Sequence, residues 1–95
     1  MNAVVAALPT LDDLRVYVKK ALCRHDNLDP DQTPLLQAVI TRSGKRCGLF
    51  FQVHGPRMLK TYAVWAADED RILFYDSTGV RFGETRLSDA PAAAA

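Results

Sequence analysis

His54, Asp76 and Ser77 are the residue types of a hydrolytic triad, in which an imidazole takes the hydroxyl proton and a carboxylate orients the imidazole. Their setting in the chain argues against that use. His54 ends one extended run, and Asp76-Ser77 ends another two runs later. In an antiparallel meander, two strand spacings hold such ends about 10 Å apart, beyond hydrogen-bond reach. No nucleophile elbow accompanies the serine. Cys23, His25, Cys47 and His54 offer zinc-type donors. Cys47 and His54, however, fall on opposite faces of a regular strand, roughly 23 Å apart, whereas one zinc ion needs its ligands at about 2.0–2.3 Å. A small anion held by Arg57, Lys60 and the Ser77-Thr78-Gly79 amides is less strained, but two polar turns explain the same residues. The sequence therefore predicts no catalytic residue, no metal site and no cofactor.

The elements that carry these residues are legible from period and punctuation. Thr10 offers an N-cap oxygen, and Asp12 and Asp13 suit the positive end of a helix dipole. Leu11, Leu14, Tyr17, Val18, Ala21 and Leu22 then recur as one apolar stripe, which predicts an amphipathic helix over Leu11–His25 with Asn27 as its stop. The Asp29–Pro34 connector contains two prolines and ends helical continuation. Beyond it the period changes to two. Strands are expected over Leu35–Arg42, Arg46–His54, Met58–Ala67, Arg71–Asp76 and Val80–Leu87, with glycine in the first and last hairpin turns. The expected architecture is α+β: an N-terminal α-helix packed on a curved antiparallel sheet of about five strands in meander order. Residues 1–9 read as a flexible lead-in, 10–88 as a single α+β domain and 89–95 as a disordered tail.

Alternation sorts the strands into two faces. One set is nearly all apolar: Leu36, Ala38, Ile40, Cys47, Leu49, Phe51, Val53, Leu59, Ala63, Trp65, Ile72, Phe74, Val80 and Phe82. It is expected under the helix. The other set mixes rings, aliphatics and charges: Val39, Phe50, Gln52, His54, Lys60, Tyr62, Val64, Leu73, Tyr75 and Arg81. The loop between the second and third of these strands sets their relative phase, and one residue more or less would exchange their faces. One helix covers one face of a sheet, so the mixed face needs another cover. Aromatic bodies with polar tips suit an interface. The alternatives are a sheet curled over its own face, or the N-terminal segment lying across it.

Composition bounds the partner. The chain has 95 residues, 48% hydrophobic and 24% charged, enough for one core. Twelve basic residues against eleven acidic ones leave a net charge of +1, with no global field for nucleic acid or acidic lipid. No apolar run approaches the roughly 20 residues that span a bilayer, so no membrane association is expected. Two cysteines are too few for a secreted disulfide framework and are expected as free thiols in a cytoplasmic protein. The hairpin Ile40–Leu49, with a turn glycine at 44 and a second glycine inside the next strand at 48, is similar to the one that opens Sm-like domains. That resemblance, which covers the hairpin and the element order, implies ring assembly and RNA binding. The acidic and asparagine residues that family uses later for RNA have no counterpart after Gly48.

The expected function is thus a non-catalytic binding or assembly module. Its site is the mixed face: Phe50, Gln52, Lys60, Tyr62, Val64, Leu73, Tyr75 and Arg81. The expected partner is a second copy, as a homodimer, or another protein. The alternative is RNA or single-stranded nucleic acid stacked on the same rings.

Overall fold

The computed structural model describes residues 4–56 and 59–91. It consists of β1 (Val4–Ala7), α1 (Leu11–Asp26), β2 (Leu36–Arg42), β3 (Lys45–His54), β4 (Lys60–Ala66), β5 (Arg71–Tyr75) and β6 (Arg81–Asp89). The strands form one sheet in the order β1-β6-β5-β4-β3-β2. From β2 to β6 it is the expected antiparallel meander, but β1 adds a sixth strand, parallel to β6, with Val4 opposite Thr85 and Ala6 opposite Leu87. The expectation of five strands and a loose lead-in is corrected here. Four residues are too few to show a period, and their partner lies at the far end of the chain. The tail is corrected in part as well: Asp89 belongs to β6 and Ala90 packs on the core. Residues 92–95, and Arg57 and Met58 from the expected anion site and third strand, lie outside the described residues.

Local signals account for the helix. The Thr10 side chain accepts from the Asp13 N–H at 3.1 Å, and Asn27 closes the far end at φ 55°. The Leu28 N–H then donates to the Cys23 carbonyl at 2.8 Å, satisfying one of the last free carbonyls. Leu14, Val18 and Leu22 follow at helical spacing and are wholly buried, as is Cys23. They meet Phe51, Val53, Ala63, Trp65, Ile72 and Phe74, which alternate along β3, β4 and β5 on one face. Burial of each large apolar side chain stabilises the fold by roughly 1.5–3 kcal/mol. Polar ties fix the helix over the sheet. The Tyr17 and Thr85 hydroxyls lie 2.9 Å apart, Thr61 donates to the Asp26 carboxylate, and Arg15 donates to Gln37.

The β2–β3 hairpin departs from the expected facing. Ser43 at φ 53° and Gly44 at φ 77° form a two-residue turn, closed by Arg42 opposite Lys45. A regular ladder from that turn would set Ile40 against Cys47. Instead Thr41 pairs with Arg46 and Ile40 with Gly48, so Cys47 is the extra residue of a bulge. Its thiol points back to the Ile40 carbonyl at 3.5 Å. One inserted residue turns β2 over. Leu36, Ala38 and Ile40 therefore lie on the face away from the helix, opposite Gln52, Phe50 and Gly48, while Val39 lies on the helix side opposite Leu49. Both placements reverse the sequence expectation.

Candidate interaction face

The face opposite the helix is built by the residues that alternate with the core. Phe50 opposes Val64, Gln52 opposes Tyr62, and His54 opposes Lys60 across β3–β4. Tyr62 opposes Tyr75, and Val64 opposes Leu73, across β4–β5. Arg81 opposes Tyr75 across β5–β6, beside a bulge that leaves Phe82 on the helix side, stacked on His25 at 3.8 Å. The register thus brings Phe50, Gln52, Lys60, Tyr62, Val64, Leu73, Tyr75 and Arg81 onto one surface.

Their rings form a ladder. Phe50 and Tyr62 have centroids 5.6 Å apart, and Tyr62 and Tyr75 stack at 5.1 Å with 15° between planes. The Arg81 guanidinium lies over the Tyr75 ring, 5.7 Å from its centroid, and donates to its hydroxyl at 3.4 Å. Contacts of this kind contribute about 0.5–1 kcal/mol each at exposed sites. Phe50, Tyr62, Val64, Leu73 and Tyr75 are all half-buried, shielded by one another and, among the described residues, by no second layer. This is how an antiparallel sheet meets solvent on one side.

Polar groups flank the rings. At one end Gln52 shares a hydrogen bond with the His54 imidazole at 3.0 Å, and Lys60 stands exposed beside them. Across the sheet, Arg71 pairs with Glu69 at 2.7 Å and with Glu84 at 3.7 Å, and Arg86 reaches Glu84 at 3.7 Å. Register assigns Leu36, Ala38 and Ile40 to this face too, and extends it through Arg71, Glu84 and Arg86. Those six were absent from the expected site. The first three needed the bulge at Cys47, whose signal is Gly48: a Cβ there would lie 2.0 Å from the Trp65 carbonyl oxygen, so the backbones approach closely.

The triad residues serve separate local roles. The Asp76 carboxylate accepts from the Thr78 hydroxyl at 2.6 Å, the Thr78 N–H at 2.9 Å and the Val80 N–H at 3.1 Å, which knits the β5–β6 turn. These bonds, the Thr78 hydroxyl first, hold its pKa below the ordinary aspartate value. His54 bonds to Gln52 instead. Cys23 is buried against the sheet, and desolvation raises its thiol pKa above the ordinary value. Both cysteines are free thiols. No group of three metal-type side chains comes together among the described residues. No helix among them is long and apolar enough to cross a membrane.

A cleft of about 320 Å³ between α1 and β6 is lined by Tyr17, Arg24, His25, Phe82, Glu84 and Thr85 among others, with the His25–Phe82 stack at its wall. Comparison with known proteins leaves the reading to these residues: no protein-family model, no curated protein and no solved structure matches this chain.

Proposed function

We propose that this chain is a non-catalytic binding or assembly module, with the face opposite the helix as its contact surface. The observation that supports this reading is the continuous ladder Phe50–Tyr62–Tyr75, half-buried and ended by exposed Arg81, with no covering layer among the described residues. Contiguous aromatic and aliphatic surface of this kind marks interaction sites on monomers. Phe50, Tyr62, Val64, Leu73 and Tyr75 form the apolar centre; Gln52, Lys60 and Arg81 form the rim. A second copy seated face to face is the simplest occupant, and another protein is the next. Free thiols and near-neutral charge fit a cytoplasmic setting.

Tyr62→Asp tests the reading. It places a charge in the centre of the ladder while leaving the helix-side core untouched, so association through this face should be lost with the fold intact. An unchanged assembly state counts against it. The second reading, a single-stranded nucleic acid stacked on the rings, draws on the guanidinium of Arg81 over Tyr75 and on exposed Lys60. A retardation assay at two salt concentrations separates the two, because phosphate contacts weaken as salt rises.

A further inference from the structure

β2 is an edge of the sheet, bonded to β3 on one side and, among the described residues, to no strand on the other. Antiparallel pairing uses the N–H and C=O of alternate residues, so the remaining groups of a strand seven residues long point outward. All but Ile40 are exposed, including Leu36 and Val39 at 47% each. No proline or inward charge, two of the usual protections of an edge, interrupts Leu36–Thr41.

The charges at its two ends are of opposite sign. The connector entering β2 carries Asp29 and Asp31; Arg42 ends β2, and Lys45 and Arg46 open β3 just past the turn. All five are exposed, and none takes part in an ion pair among the described residues. Arg42 shares a small cavity with Asp68 and Glu69, whereas Lys45 and Arg46 do not line it. A strand that is acidic at its start and basic at its end complements its own copy only when the copy runs antiparallel. Parallel alignment would set like charges together.

We infer that two copies of this chain pair β2 to β2 antiparallel about a two-fold axis near Val39, joining their sheets into one. That register sets Ala38 against Ile40 and Gln37 against Thr41, an apolar pair and a polar pair. It also carries the Lys45-Arg46 end of each copy to the Asp29–Asp31 end of the other. Because the Cys47 bulge turns Leu36, Ala38 and Ile40 outward from the helix, the seam continues the open face from one copy to the next. This pairing is independent of the face-to-face reading and leaves the aromatic ladder uncovered.

Light scattering across a dilution series tests it in the Tyr62→Asp background, where contacts through the ladder are removed. The expected mass is twice the 10.5 kDa of one chain. Adding either Lys45→Glu/Arg46→Glu or Asp31→Lys/Gln32→Lys makes both ends alike, and each should weaken dimerisation about tenfold or more. Mixing the two reversed chains should restore the dimer as a heterodimer. All four positions are exposed, Asp31 and Gln32 in the connector and Lys45 and Arg46 at the start of β3, and unchanged circular dichroism and melting confirm the fold. A monomer in the Tyr62→Asp background, reversed chains that dimerise undiminished, or a mixture that fails to reassociate would each overturn the inference.

Discussion

Phe50 and Phe51 are neighbours in sequence and opposites in circumstance. Phe51 is fully buried beneath α1, in contact with the core; Phe50 is half-buried on the other side of the same strand, beside Tyr62. The difference extends over the whole sheet. On the helix side, burial is supplied by Leu14, Val18 and Leu22 from another layer. On the open side, among the described residues, the rings shield one another, and Tyr62 and Tyr75 carry polar tips. One face contributes stability; the other presents apolar area that remains available for a second layer.

Substitutions along this divide should sort by face. Phe51→Ala empties a site the helix cannot refill and should cost about 3–5 kcal/mol in urea unfolding, a large share of a small domain's stability. A cost near that of Phe50→Ala would erase the distinction. Gly48→Ala comes next, at about 2 kcal/mol, because its Cβ would meet the Trp65 carbonyl oxygen at 2.0 Å and backbone atoms yield poorly. An unperturbed melting temperature would mean the bulge relaxes freely. Phe50→Ala should cost about 1 kcal/mol, since its ring is only half removed from water.

The smallest effect belongs to Asp76, in the β5–β6 turn, whose residues 77–80 are exposed. Its folded pKa is depressed by the Thr78 and Val80 hydrogen bonds, so its contribution is present above the unfolded-state value, about 3.9, and is lost as pH falls through the folded value. Asp76→Asn should therefore lower stability slightly at neutral pH and flatten the acid limb of a pH–melting curve. An acid limb identical to that of the unmodified protein would contradict the role given to those bonds.

What the sequence conveyed follows the range of the forces involved. α1 was readable to within a residue because Thr10, the Leu14–Leu22 stripe and Asn27 all act within a few residues of one another. The alternation from Phe50 to Tyr75 likewise puts seven of the eight site residues on one side, because period two is local and the β3–β4 register keeps Gln52 opposite Tyr62. β1 was not readable, since its four residues gain their partner only when β6 arrives from the chain's other end. β2 was read on the wrong face for a subtler reason. Its apolar Leu36, Ala38 and Ile40 resemble core residues, and only the bulge at Cys47 turns them outward. Polarity indicates whether a side can be buried; it does not indicate which layer buries it.

The central claim is that the open face is the contact surface. Light scattering of the unmodified chain and of Tyr62→Asp, side by side over the same dilution series, tests it most directly. A lower mass for Tyr62→Asp at matched concentration, with an unchanged melting profile, is the result expected of a ladder that binds. Identical masses at every concentration would contradict self-assembly through that face.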